Sequence, residues 1–209
     1  MKILPGRSMR LPALAALAVA FLLGAAASAP AATAIERVVS PSGIEAWLVR
    51  EPATPLIAVE FAFRGGADED PADKSGVAHM AAELLDEGAG PLDGNAFHEQ
   101  LERHAIEMSF GAGRDFFRGS LRTLAEHRDA AVDLLRLALN QPRFEDEAIE
   151  RVRAQILATL RRVSTSPQEI ASLRWWDAAF PGHPYGRQLR GTLDSVPRLR
   201  RRPQPRSSA

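Results

Sequence analysis

Five consecutive residues have the spacing of a metal-dependent hydrolytic site but only part of its chemistry. They are His79-Met80-Ala81-Ala82-Glu83, on a predicted helix. A site of the type His-x-x-Glu-His binds zinc through two imidazoles and activates water with the glutamate between them. In this chain only the imidazole of His79 is present, because Ala82 stands in place of the general base and Glu83 in place of the second histidine. The pattern predicts a hydrolase scaffold that has lost its chemistry.

An acidic set near this segment offers a different metal site. His79, Glu83, Asp86 and Glu87 share one side of the predicted helix and could coordinate a hard divalent cation through oxygen. Solvated charges at a helix end are the commoner explanation of such a set. We therefore predict that the chain holds no metal and no other cofactor.

The first 34 residues have the features of an export signal. Lys2, Arg7 and Arg10 precede an apolar run over residues 11–27, and Ala32-Thr33-Ala34 fits the A-x-A cleavage rule. Cleavage predicts an exported, periplasmic protein. The alternative is an uncleaved segment that keeps the protein at the membrane.

Composition narrows the function of the remaining residues. The chain has no cysteine, which excludes disulfides and thiolate metal sites. Its net charge is zero, but three basic residues precede residue 35 and five follow residue 196, which leaves 18 basic against 26 acidic residues between them. An acidic domain of this kind argues against nucleic-acid binding.

Residue patterns predict an α+β domain over residues 35–196. Two short strands, 35–39 and 44–49, should form a hairpin, 56–63 a central strand buried on both faces, and 106–110 with 116–121 a second hairpin. Helices are expected at about 75–87, 94–104, 130–139, 145–163 and 167–180. The order predicts a mainly antiparallel sheet backed by helices.

The last residues differ sharply from this domain. Residues 197–209 are basic and have no apolar periodicity, so we predict a disordered tail. The abrupt change, where a further helix is expected, is typical of an altered reading frame or a truncated gene. The alternative is a basic arm for anionic partners.

Several segments resemble the pitrilysin/insulinase-like metallopeptidases, a group that includes mitochondrial processing peptidase. They are Phe61-Ala62-Phe63-Arg64-Gly65-Gly66, Lys74-Ser75-Gly76-Val77-Ala78-His79, the hairpin around Gly111, and Gly182-His183-Pro184-Tyr185-Gly186. The resemblance implies a half-subunit domain with a sheet backed by helices, and two such domains normally form one subunit. We further expect His183 to order its connector through a backbone hydrogen bond.

The third zinc ligand implied by this resemblance is also missing. Active members supply a glutamate from the long helix, and counting from Glu83 places that position near Ala158. No Asp, Glu or His occurs from Arg151 to Gln168, so a shift of register cannot replace it. A catalytic zinc needs three protein ligands and an open water position.

Peptide binding does not depend on the missing ligands. In the resembled family an edge strand after the second helix pairs with extended substrate through main-chain hydrogen bonds. The matching residues here are Phe110, Gly111, Ala112 and Gly113, and the small residues at 111–113 allow close approach of another backbone. A plain hairpin turn explains the glycines equally well.

The resemblance therefore predicts a non-catalytic subunit of an exported zinc peptidase. It would form a heterodimer with an active homologous subunit, shape the chamber and bind extended peptide. One alternative is an active zinc metalloendopeptidase with a rearranged site on His79 and Glu83. Others are a structural interaction subunit of a membrane-associated complex and a fragment without a stable role.

Overall fold

The computed structural model describes residues 34–200, which form two compact units, one up to residue 54 and one from residue 55. The predicted signal, apart from Ala34, and residues 201–209 of the predicted tail lie outside the described residues. The strands are β1 (Ile35–Val39), β2 (Glu45–Val49), β3 (Leu56–Arg64), β4 (Gly88–Ala89), β5 (Leu92–Asp93), β6 (Glu107–Ala112) and β7 (Phe116–Leu124). The α-helices are α1 (Val77–Ala82), α2 (Gly94–Arg103), α3 (Arg128–Asn140), α4 (Asp146–Val163) and α5 (Pro167–Ala179). Over residues 34–200, no helix is long and apolar enough to cross a membrane.

The first unit contains the predicted hairpin. Strands β1 and β2 pair antiparallel, with Ile35 opposite Val49 and Val39 opposite Glu45. The turn is closed by a 2.8 Å hydrogen bond from the Ser40 N–H to the Ile44 carbonyl. Gly43 occupies the left-handed region at φ 86°, which glycine adopts without steric cost. The predicted β1–β2 hairpin is confirmed.

The second unit is built on a three-stranded antiparallel sheet in the order β3-β7-β6. Our prediction that β3 is the central strand was wrong, because β7 occupies the centre and β3 an edge. Leu56 and Phe63 on β3 are 49% and 52% exposed. A continuous apolar run indicates burial on both faces, but it does not specify how many neighbours a strand pairs with.

Two hydrophobic clusters lie in the second unit. One joins one face of the sheet to α2 and α3 through Phe97, Leu101, Leu121 and Leu134. The other joins α1 and α4 through Met80, Leu84, Val152 and Ile156, and it also contains Val196 and Leu199. Because Leu199 is 5% exposed, the packed core extends beyond the boundary that we predicted at residue 196.

Helix α1 is shorter than predicted, and a small ladder follows it. We expected a helix to residue 87, but it ends at Ala82 and the chain turns into the β4–β5 pair. The Gly88 carbonyl accepts from the Arg143 N–H at 3.0 Å, and the Gly90 N–H donates to the Gln141 carbonyl at 2.8 Å. Residues 84–87 form local turns, and the long-range bonds fix the ladder that follows them. Helices α2 to α5 begin and end within two residues of the predicted bounds.

The start of α1 is held by the buried carboxylate of Asp70. Its two oxygens accept from the Gly76 N–H at 2.7 Å and the Ala78 N–H at 2.9 Å. Burial raises the pKa of Asp70, whereas these N–H donors oppose the rise. Asp70 thus satisfies helix-end donors that have no partner within the helix and sets where α1 begins.

Residues 187–195 reinforce this position from the other end of the chain. The Ser75 hydroxyl donates to the Gln188 carbonyl, and the Ser195 hydroxyl donates to the Ser75 carbonyl, both at 2.7 Å. A Cβ at Gly191 would lie 2.6 Å from the Ser75 oxygen, so only glycine fits there. The start of the helix that carries His79 is therefore fixed both by Asp70, which precedes it, and by residues 187–195, which follow it in the sequence.

Replacing Asp70 with alanine should destabilise the protein by about 1–3 kcal/mol, because two N–H groups lose their acceptor. Urea unfolding followed by circular dichroism measures this change. Asp73→Ala is the matched control, since Asp73 is exposed and should change the free energy of unfolding by less than about 0.5 kcal/mol. Equal effects of the two substitutions would contradict the role assigned to Asp70.

Candidate functional site

His79 lies on α1 and is partly buried. Burial lowers the pKa of its imidazole, Glu83 raises it, Arg190 lowers it and Asp70 raises it, in that order of size, and the net shift is downward. The neutral imidazole is therefore favoured. A neutral imidazole can bind a metal, but a site needs further donors.

The other two motif positions point into different surroundings. Ala82 is 1% exposed and belongs to the buried residues of α1, whereas Glu83 is exposed. A methyl group at position 82 can neither take a proton from water nor bind a metal. The general base is thus replaced by a core residue, and the carboxylate of Glu83 lies on the solvent side.

Zinc does not fit the residues at this site. Helix α4 contacts α1, but Ala158 on α4 is exposed and has no donor atom. Within residues 34–200, no three His, Cys, Asp or Glu side chains are grouped closely enough to hold a metal ion. His79 and Glu83 alone provide fewer than the three ligands of a catalytic zinc.

The acidic residues after Glu83 have other interactions. Glu87 forms an ion pair with Arg151 on α4. Burial raises the pKa of Asp86, with Glu87 adding to the rise and His98 opposing it. Glu87 is therefore already bound to an arginine, and burial disfavours the charged form of Asp86, whereas a divalent cation requires charged carboxylates free to bind it.

The predicted peptide-binding residues lie on or next to β6, an edge strand of the sheet that also contacts α1. Strand β6 pairs with β7 and is the last strand on its side among the described residues. The Gly113 N–H donates to the Phe116 carbonyl at 2.8 Å. Because such pairs alternate along an antiparallel ladder, Gly111 also bonds toward β7, whereas Phe110 and Ala112 direct their main-chain N–H and C=O groups away from it. Phe110 and Ala112 therefore offer the groups that an added strand needs.

Gly113 has a structural role that the sequence pattern did not indicate. Its carbonyl accepts from the Ala67 N–H at 2.9 Å, and the next carbonyl, of Arg114, accepts from the Asp68 N–H at 3.1 Å. A Cβ at Gly66 would lie 2.4 Å from the Arg114 oxygen. The Gly65-Gly66 loop is thus packed directly on the β6–β7 turn, and its glycines permit that approach.

Arg114 connects this turn to the connector after α5, which we did not predict. Its guanidinium lies 3.5 Å from the ring centroid of Trp176 and donates to the Tyr185 carbonyl at 3.2 Å. The Tyr185 hydroxyl bonds to Asp115. The Gly-His-Pro-Tyr-Gly segment marked the connector in the sequence. The spacing of residues could not show that Arg114 and Asp115 are its partners. The hydrogen bond expected of His183 is confirmed, since its Nδ1 accepts from the Tyr185 N–H at 3.2 Å.

Comparisons with known proteins give consistent matches to one family. The family model for Insulinase (Peptidase family M16) matches residues 46–193. The chain is 28% identical over 146 residues to the non-peptidase homolog YmxG of Helicobacter pylori. That match covers 70% of this chain and 34% of YmxG. It is 25% identical over 151 residues to subunit 1 of the mitochondrial cytochrome b-c1 complex of Bos taurus. That match covers 72% of this chain and 32% of the bovine protein. The chain thus spans about a third of the length of these curated relatives.

A solved structure shows the same fold. The peptidase M16 inactive domain from Pseudomonas fluorescens superposes with a TM-score of 0.75 at 24% identity, and the match covers 80% of this chain and 41% of that one. The predicted α+β class, with antiparallel sheets and helices, is confirmed by this match.

The lowered pKa of His79 predicts a pH-dependent stability. Below the ordinary pKa of 6.5, the unfolded chain binds a proton that the folded imidazole resists, so the wild-type protein should lose stability as the pH falls. His79→Gln cannot bind that proton. We compare the free energy of unfolding of the wild type with that of the variant by urea titration at each pH. The wild-type value minus the variant value should decrease from pH 8 to pH 5. A difference that stays constant or increases would contradict the assignment.

Proposed function

The chain belongs to the insulinase family, peptidase family M16, and on this premise we propose that it is a non-catalytic subunit that binds peptide beside an active homologue. The observation that carries the proposal is the absence of donor atoms at Ala82 and Ala158, which stand at the positions of the general base and the third ligand. Without them His79 can neither hold a catalytic zinc nor deliver an activated water.

Two of the relatives support a role outside catalysis. One is named a non-peptidase homolog, and the other is subunit 1 of the cytochrome b-c1 complex. Both names describe those proteins. For this chain we infer a heterodimer with an active homologous subunit, in which this domain helps to enclose the peptide chamber.

The edge strand β6 supplies the peptide-binding part of the proposal. An extended peptide that pairs there would gain main-chain hydrogen bonds with Phe110 and Ala112, largely independent of its sequence. Arg114 and Tyr185 hold the adjacent turn through the contacts described above. A fixed edge loses less conformational entropy when the peptide adds to it.

Location is a further part of the proposal. The basic start, apolar run and Ala32-Thr33-Ala34 site support export to the periplasm. Amino-terminal sequencing of the protein recovered from a periplasmic extract tests this, with Ile35 as the expected first residue. An intact terminus in the membrane fraction would instead indicate an anchored protein.

Metal analysis and activity assays test the central claim. After incubation with equimolar zinc and gel filtration, the purified chain should retain far less than one zinc per molecule and cleave no unstructured peptide. It should co-elute with an active homologue of the family from the same organism. Stoichiometric zinc, or a peptidase activity that His79→Ala abolishes, would instead support the rearranged active site.

The relation to the bovine subunit favours a second candidate, a structural subunit of a membrane-associated complex. Affinity purification from mildly solubilised membranes separates the two possibilities. Recovery of a respiratory or other membrane assembly without a peptidase would favour the structural role.

Substitution of Ala112 tests pairing at the edge of β6. Ala112→Pro removes one outward-directed N–H but no bond to β7, so affinity for an extended peptide should fall about three- to tenfold, as expected for one hydrogen bond. Fluorescence anisotropy of a labelled unstructured peptide measures the change. Ala112→Val is the matched control, because it adds bulk and keeps the N–H. If both variants bind like wild type, the peptide does not pair with β6.

A further inference from the structure

A groove separate from the β6 edge lies beside α1. It has a volume of about 710 Å³ and runs between α1, the start of α4 and residues 198–200. Its apolar lining comes mainly from Val77, Met80, Ala81, Leu84, Phe144 and Ile149. Met80, Leu84 and Ile149 belong to the hydrophobic cluster of α1 and α4, so the groove floor is the outer surface of a packed core.

The charged side chains that line the groove are all cationic. They are Lys74, Arg198 and Arg200, and among the residues that the structure describes no carboxylate lines the groove. Arg200 is held in place because its guanidinium donates to the Pro197 carbonyl at 2.7 Å and to the Leu199 carbonyl at 3.0 Å. Residues 35–196 carry an excess of acidic residues, so this basic rim is opposite in sign to the domain around it. An occupant with acidic groups beside an apolar surface would complement it.

Phe144 contributes to the groove at the expense of backbone strain. Its φ is 48°, in the left-handed region that a bulky residue rarely adopts. Such a conformation persists only where the surrounding packing imposes it, and strained residues concentrate at binding sites. The ring of Phe144 packs against the cluster of α1 and α4. The strain therefore accompanies a residue that forms the groove wall.

The shape of the groove favours a helix as its occupant. A small molecule is usually enclosed over most of its surface, whereas the described residues enclose this groove only partly. An amphipathic helix needs to bury only one apolar stripe and leaves its polar flanks at the rim. Residues 201–209 contain three arginines and no large apolar residue, so they match neither the floor nor the rim.

We propose that this groove docks an amphipathic helix of another protein, with Asp and Glu along the flanks of its apolar stripe. The leucine-type anchors of that helix would contact Ala81 and Phe144, and its carboxylates would lie near Lys74 and Arg198. The proposal does not depend on peptide pairing at β6 or on the absence of zinc.

Binding of designed peptides tests the proposal. The probe is a fluorescein-labelled helical peptide with Leu at i, i+3, i+4 and i+7 and Glu at the other positions, followed by fluorescence anisotropy. It should bind at least about tenfold more tightly than the same peptide with Lys in place of Glu, and its affinity should fall as ionic strength rises from about 0.05 M to about 0.5 M. Equal binding of the acidic and basic peptides, or none by either, would overturn the proposal.

Matched variants locate the binding. Lys74→Glu with Arg198→Glu should weaken the acidic peptide about tenfold or more, whereas Arg161→Glu, on an exposed part of α4, should not. Ala81→Phe should block the floor, with Ala158→Phe as the control at an exposed alanine. Two other outcomes would identify a different occupant. If palmitate displaces the peptide when both ligands are added at concentrations that give equal occupancy, the groove is a fatty-acid site instead. If the protein forms dimers without peptide, and Ala81→Phe disrupts them, a second copy of the chain occupies the groove.

Discussion

The buried carboxylate of Asp70 sets the position of the helix on which the candidate site depends. It accepts the N–H groups of Gly76 and Ala78, so α1 must begin at that point in the chain. The same short segment is bonded through Ser75 to residues 188 and 195, more than a hundred positions later. Helix α1 has only six residues and would be unstable alone, so its position comes from these contacts and from packing.

A second constraint is chemical. Catalysis by a zinc hydrolase requires several donor atoms at fixed positions, and the loss of any one leaves the others without a use. The backbone around those positions does not depend on the donors, since Ala82 packs in the core and α4 contacts α1 without them. The scaffold can therefore persist after the chemistry is lost. Main-chain pairing at a strand edge would not depend on those donors either, because it requires no particular side chain.

Two parts of the second unit are coupled through the residues around Arg114. The guanidinium stacks on Trp176 and bonds to the connector, while the connector tyrosine bonds back to Asp115 in the same turn. These contacts join α5 and the connector after it to the turn at the end of β6. Helix α5 contains no buried residue, so this junction is an important part of its attachment to the described chain.

The sequence by itself determined most of the elements, the fold class, the absence of donor atoms at Ala82 and Ala158 and the absence of an imidazole at Glu83, because periodicity and side-chain chemistry are local properties. It did not determine which strand is central, since the apolar run of β3 is compatible with either an edge or the middle of the sheet. Only the tertiary structure showed that Phe110 and Ala112, but not Gly111 and Gly113, have outward-directed main-chain groups. It also revealed the contacts of Asp70 and Arg114 and the groove beside α1. These features join residues distant in the chain, and their geometry follows from packing that no local pattern encodes.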